Sequence, residues 1–401
     1  MHSILIVTIS STFGLLLVLV LSWFAYVRLR QKRETLLREN SQWRLELEMR
    51  TMLHVDASSI KEGGSGVLTM KAAVEQLLLS DHFSPDLLSI AKRENRFTSS
   101  SKLFMTGKPA HAAAGLPFYM GIHSSQFYIG MAEGLEAMRR EFEALDDTLD
   151  PGGDARECFD YVLHRSAGSS GLAFQDGLCR DCDQNGQLLN SRRTLSGEPM
   201  RLADFANHET SKLAGLTAAH VAALRIYTTA AYMILNSQMR SQLSRGTVSG
   251  TVTLSPHPLP ITMGLINEAI RRLRVVEAAS DTANTCQDLW RGVRDVYVPE
   301  HFLSDGGTDC ALMSTTTKLA VALRYAIASN SQKVLLLKFR SDSFMDRGAN
   351  LAFLSAFPEE AEILFPPLTY MKPPKGGSLH ESFTIGQTDY TVIEMLPVFG
   401  T

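Results

Sequence analysis

Ile4 to Val27 is an apolar run without a charged side chain, and Arg28, Arg30, Lys32 and Arg33 follow it at once. A helix of about 20 such residues crosses a bilayer, and Trp23 and Tyr26 sit where an aromatic belt would lie. The pattern predicts a single transmembrane helix over residues 4–27. A cleavable signal carries its charge before the apolar core and a small-residue site after it; here the charge comes after. The positive-inside rule then puts the C-terminal body in the cytosol. An inverted anchor, with the body in a lumen or outside the cell, is the alternative. Residues 28–66 read as a charged juxtamembrane stalk ending in the flexible linker KEGGSG.

Beyond residue 66 the pattern becomes that of a globular chain. Residues 67–200 read as a helical, loop-rich accessory region. Val67 to Leu79 is helical, and Gly130 to Leu145 is a charged helix with Met131, Leu135, Met138 and Phe142 on one stripe. Glu157 to Leu163 is a short helix, and Gly168 to Pro199 is polar and loop-like. A helix begins over Asp204 to His208. Thr217 caps a long helix, Ala218 to Leu243, with Val221, Leu224, Thr228, Ala231 and Leu235 aligned. His257 to Pro260 is a turn, and Thr262 caps Met263 to Val275.

Strand-like runs follow. They are Asp288 to Val293, Ala311 to Thr316, the apolar Lys333 to Phe339, and a closing pair near Thr384–Ile385 and Thr391–Pro397. FLSAFPEEAEILFPP, Phe353 to Pro367, reads as a loop entering a strand. If the chain is extended from Glu360, alternate side chains share a face, so Glu360 and Glu362 point together and Ala361 points away. The fold class is α+β.

Composition narrows the function. A net charge of −3 argues against a nucleic-acid partner. Five cysteines with one close pair, Cys179 and Cys182, do not make a disulfide framework. His111 and His123 have no ligand spacing, and no metal site is expected. Neither a Gly-rich dinucleotide fingerprint nor a phosphate-cradling P-loop is present. Two glutamates at i and i+2 are ordinarily a solvated face. Held in a cleft, they suit chemistry that develops positive charge or handles a cationic substrate.

Three segments change the balance. FPEEAEILFPP resembles the E-x-E loop-strand of the arginine-specific mono-ADP-ribosyltransferases, the R-S-E class. DLWRGV, Asp288 to Val293, resembles that family's first-strand arginine motif, and Met313-Ser314-Thr315-Thr316 its serine strand. ALRIYTTAAYMILNSQMR, Ala223 to Arg240, is similar to its Tyr-Thr…Asn-x-x-Arg helix. The resemblance covers residues 201–401 and implies a catalytic domain of two packed small sheets with a helical lobe, and NAD as substrate. It implies that Glu362 steadies the ribose cation, Glu360 meets an acceptor arginine on a protein substrate, and Ser314 holds the catalytic carboxylate. Arg291 would grip the NAD phosphates, Gly292 and Thr315 would line the cofactor site, and Phe344 would stack on nicotinamide. The expected activity is transfer of ADP-ribose from NAD to arginine with release of nicotinamide. The alternatives are an NAD glycohydrolase and an inactive, membrane-tethered NAD-binding protein.

Overall fold

The computed structural model describes residues 69–79, 104–106, 120–122, 124–169, 181, 188–245, 256–294, 298, 300–327, 332–375 and 380–399. The apolar run 4–27, the stalk 28–66, His111, His123, Cys179 and Cys182 lie outside the described residues. Among the described residues no single helix is long and apolar enough to cross a membrane.

The described helices are α1 (Met70–Leu79), α2 (Ser125–Glu133), α3 (Leu135–Glu143), α4 (Asp154–His164), α5 (Leu202–Ala206), α6 (Glu209–Leu213), α7 (Ala218–Tyr227), α8 (Tyr232–Arg245), α9 (Pro260–Ala278), α10 (Glu300–Asp305) and α11 (Leu319–Ala326). Two helices expected as continuous are broken. The first stops at Gly134, whose φ of 59° lies in the region that glycine reaches without a Cβ penalty. The second breaks after Tyr227, and the halves meet at 78°. There the hydroxyls of Thr228 and Thr229 donate back to the carbonyls of Arg225 and Ile226, competing with the helix's own bonds. Thr217 caps α7 as expected, accepting from the His220 amide. Thr262 lies inside α9 instead of capping it. Pro260 starts that helix, and the Glu141 carboxylate of α3 accepts from the amides of Ile261 (2.5 Å) and Thr262 (3.0 Å) and from the Thr262 hydroxyl (2.7 Å). A carboxylate at a helix N-terminus satisfies orphan amides and complements the dipole.

The strands are β1 (Phe104–Thr106), β2 (Gln287–Arg294), β3 (Gly307–Asp309), β4 (Met313–Thr316), β5 (Lys333–Ser341), β6 (Ala349–Asn350), β7 (Glu362–Phe365), β8 (Thr369–Lys372), β9 (His380–Ile385) and β10 (Thr388–Val398). Their order is β1-β3-β8-β10-β5-β2-β4-β7-β6, with β9 paired to β10. The α+β class stands, with one difference in the sheets. They form one hydrogen-bonded path through β10, whose Asp389–Met395 run parallel to β5 and whose Leu396–Val398 pair with β8. The central strand β5 is apolar because both its faces are covered. Val334 and Leu336 join α11 and Trp290 on one side, while Leu335, Leu337 and Phe339 join Leu289, Met313, Ile363 and Met395 on the other.

A third apolar cluster runs straight across residue 200. It unites Met138, Phe142, Phe159 and Tyr161 with Leu224, Ile226, Ile266 and Ile270, and with Leu354, Phe357 and Leu364 beside the acidic loop. Residues 120–167 are therefore built into the same core as the strands that carry the candidate site.

Candidate active site

The acidic loop is not extended where the alternation rule placed it. Pro358–Glu360 form one 3-10 turn, and Ala361 takes a left-handed conformation (φ 47°, ψ 49°) before β7 begins at Glu362. Pro358 opens that turn with a preset φ. The left-handed step is uncommon for a side chain with a Cβ, and it re-aims the chain into the strand. The two carboxylates still feel each other: the charge of Glu360 raises the proton affinity of Glu362.

Glu362 is only 8% exposed. It stands in a row across three strands, opposite Thr316, which is itself opposite Trp290. Ser314, diagonal to it on β4, makes a side-chain hydrogen bond to its carboxylate. Burial is the largest influence and pushes its carboxyl up to about 7. The Ser314 bond and the Arg291 charge pull the other way, and the charge of Glu360 adds to the rise. A carboxyl in this condition changes charge near neutrality.

Glu360 has neighbours of its own. Its Oε1 accepts from Arg324 Nη2 at 3.0 Å and from the Tyr325 hydroxyl at 2.8 Å. Its main-chain carbonyl accepts from Thr316 Oγ1 at 2.6 Å, and Lys318 Nζ donates to the Glu359 carbonyl. The serine strand β4 and helix α11 thus hold the turn from below.

Arg291 comes to the same cluster, bound differently from the expectation. Nη1 donates to the Ser314 carbonyl (2.7 Å) and Nη2 to Asp309 (3.2 Å), while its buried Nε has no partner among the described residues. Asp309, fully buried on β3, also takes a two-pronged bond from Arg240 of α8, at 3.1 and 2.9 Å. Arg291 is therefore spent mainly on fixing β4 against β3. Tyr227 at the end of α7 is buried beside this cluster; burial and the Glu362 charge push its phenol upward. Asn236 donates to the Tyr227 hydroxyl at 3.3 Å, and its own Oδ1 is buried without a partner among the described residues.

The remaining expected residues each make a structural contact of their own. Thr315 Oγ1 donates to the Ile363 carbonyl across β7 at 2.9 Å, a structural bond. Gly292 does not open the backbone to a ligand. A Cβ there would lie 1.7 Å from the Ala322 carbonyl oxygen, so glycine lets α11 lie on β2. Phe344 is half-buried on a 3-10 turn that its amide ties to Ala283, while Arg274 holds the carbonyls of Met345 and Arg347. These contacts tie its turn to the last part of α9 and to the segment between α9 and β2.

Periodicity missed a buried clamp behind the acidic loop. Asp181 accepts from Tyr161 (2.6 Å), Arg192 Nε (3.1 Å) and Arg225 Nη2 (2.9 Å). Arg192 donates to the carbonyls of Ala352, Phe353 and Ser355, and Arg225 to that of Leu354. The Ala356 amide donates to Thr228 Oγ1 at 2.9 Å. Five consecutive residues leading into the Pro358 turn are thus held through their main chain by side chains from residues 192–228. Arginine suits this work because its planar fork donates in fixed directions. No local spacing announces such partners, which lie about 130 to 160 positions away along the chain. The one available signal was the helix string Ala223 to Arg240, which contains the clamp residues Arg225 and Thr228.

Chemically, the cluster offers a buried carboxylate with a shifted proton affinity, a serine that orients it, the charge of a second carboxylate, and buried polar atoms without a partner among the described residues at Arg291 Nε and Asn236 Oδ1. Unpaired buried groups carry a cost that a polar ligand can remove.

No protein-family model matches the chain, and no curated protein matches it. Several solved structures are similar to it. The ADP-ribosyltransferase HopU1 of Pseudomonas syringae pv. tomato DC3000 is 18% identical, with a TM-score of 0.36 over 61% of this chain and 97% of that one. Plx2a, an ADP-ribosyltransferase toxin from Paenibacillus larvae, is 14% identical, with a TM-score of 0.33 over 49% of this chain and 95% of that one. The eucaryotic mono-ADP-ribosyltransferase ART2.2, in complex with NADH, is 16% identical, with a TM-score of 0.33 over 50% of this chain and 75% of that one. Matches this loose transfer no function to the chain.

Proposed function

We propose that this chain is an ADP-ribosyltransferase that cleaves the nicotinamide–ribose bond of NAD and passes ADP-ribose to arginine side chains of proteins. The observation that supports it best is the buried Glu362 carboxylate, oriented by Ser314, near the Arg291 charge and beside a second glutamate. As nicotinamide leaves, the ribose carbon becomes cationic. A preorganised carboxylate stabilises that charge and can take a hydrogen bond from the ribose 2′-hydroxyl. One such group is worth about 10²–10³ in rate. Arg291 Nε and Asn236 Oδ1 are buried polar atoms, without a partner among the described residues, that NAD would satisfy.

A guanidinium is protonated at cellular pH and is a poor nucleophile. Glu360 would orient it and accept its proton as it attacks. A second reading, hydrolysis with water as acceptor, is favoured by one contact: Glu360 already carries the guanidinium of Arg324. Labelled NAD incubated with an arginine-rich protein tests the first reading. Label on arginine supports it, and nicotinamide release without protein labelling favours hydrolysis.

The apolar run 4–27 supports a single-pass anchor with a cytosolic body, where NAD and protein acceptors are at hand. Protease digestion of sealed vesicles tests this. Protection of the body on the cytosolic-face-out side would overturn it.

A further inference from the structure

Arg324 offers Glu360 the group that an acceptor would bring. Its Nη2 lies 3.0 Å from Glu360 Oε1, and the two side chains are only 10% and 14% exposed. It sits near the C-terminal end of α11, with its guanidinium carbon 5.5 Å from the centre of the Tyr325 ring. The Tyr325 hydroxyl donates to the same carboxylate oxygen at 2.8 Å. The turn beneath Glu360 is fixed through its main chain, because Thr316 Oγ1 and Lys318 Nζ donate to the carbonyls of Glu360 and Glu359 at 2.6 and 2.8 Å. A pair this sheltered from water is screened far less than a surface pair.

We propose that Arg324 is a specificity-determining residue, an internal guanidinium that any arginine acceptor must displace from Glu360. This rests on the transferase reading above. A free guanidino compound brings only one charge-assisted bond to set against the pair it breaks, and it loses that contest. An arginine on a docked protein brings the rest of its interface as well. Water displaces nothing. The chain therefore excludes small guanidino acceptors, and in their presence NAD is consumed mainly by hydrolysis. Arg324 touches neither of the reacting bonds in this scheme; it acts through Glu360.

The test measures agmatine ADP-ribosylated per nicotinamide released, using the whole purified chain, NAD and agmatine. The variants are Arg324→Ala, Arg324→Gln and Arg324→Lys, each first checked by thermal melting; the glutamine variant keeps the side-chain bulk if alanine fails to fold. Removing the competing cation should raise the ratio about tenfold, the weight of one lost ion pair of roughly 1.4 kcal/mol. The change should appear as a lower KM for agmatine, with kcat moving much less. Arg324→Lys keeps the charge and should stay within about twofold of the parent. A ratio unchanged in both neutral variants, or one that falls in step with melting temperature, overturns the proposal. Absence of nicotinamide release from every form, the parent included, overturns the transferase reading itself and is a distinct result.

Discussion

Arg291 donates through Nη2 to Asp309 at 3.2 Å, so the strand arginine is bound to a buried acid. Asp309 also carries Arg240, and it is the only carboxylate bonded to either guanidinium in the described hydrogen bonds. Breaking a buried pair from one side leaves the other charge uncompensated, at a cost of about 3–5 kcal/mol. Asp309→Ala should lose at least that much in urea unfolding, since two cations are stranded. Arg291→Lys should lose the Ser314 carbonyl bond and, with it, most of the nicotinamide release.

Gly292→Ala is expected to be severe for a purely steric reason. The added methyl would meet the Ala322 carbonyl oxygen at 1.7 Å, and two backbones would have to separate. The expected loss is on the order of 3 kcal/mol or more. It should appear as low soluble yield and a depressed melting temperature, with any surviving folded protein close to normal in NAD affinity. A normal melting temperature together with weakened NAD binding would restore Gly292 to the ligand site.

The clamp on the acidic loop makes a different forecast. Arg192→Lys keeps the charge beside Asp181 but cannot reach the carbonyls of Ala352, Phe353 and Ser355 together. Stability should fall by roughly 2–4 kcal/mol, and nicotinamide release by tenfold or more at temperatures well below the melting point, because a displaced loop misaims Glu362. Urea unfolding and turnover at low temperature together check both parts.

Much of the frame was legible in the chain. The order Arg291, Ser314, Glu362 brings three residues from β2, β4 and β7 into one cluster, and the paired runs near Thr384 and Thr391 form the β9–β10 hairpin. Thr217 capped its helix because capping is decided within a few residues. What was missed depends on distance or on backbone geometry that pattern rules do not carry. Alternation placed Glu360 on the strand, whereas Pro358 starts a turn and Ala361 reverses it. Gly292 was assigned to a ligand because the helix lying on it comes some thirty residues later in the chain. Thr228 looked like one more stripe position, yet its hydroxyl breaks the helix and receives the Ala356 amide. Asp309 and Asp181 stood out in no motif, since a buried ion pair is defined by partners that only the fold supplies.

His257 should govern an acid limb of stability. Its Nδ1 accepts from the Leu259 amide at 2.9 Å, so Nε2 carries the proton and donates to the Leu235 carbonyl at 3.1 Å. Burial pulls its pKa down to about 4 from an ordinary 6.5. A depressed folded pKa contributes stability that is fully present above 6.5 and is lost as pH falls towards 4, amounting to about 3 kcal/mol. His257→Gln should lower stability at pH 7 and flatten the slope between pH 6.5 and 4 in denaturant titrations. An unchanged slope would show that other groups set the acid limb.

The central claim is that Glu362, ionised, drives cleavage of the nicotinamide bond. The most direct check is the rate of nicotinamide release from NAD between pH 5 and 9, for the parent and for Glu362→Gln. Burial raises this carboxyl to about 7, so the active charged form grows as pH rises, and release should climb with a midpoint near 7. Glu362→Gln should run about 10²–10³ below the parent at pH 8, with that rise gone. A variant that releases nicotinamide at the parental rate, or a parent that releases none at any pH, would contradict the account.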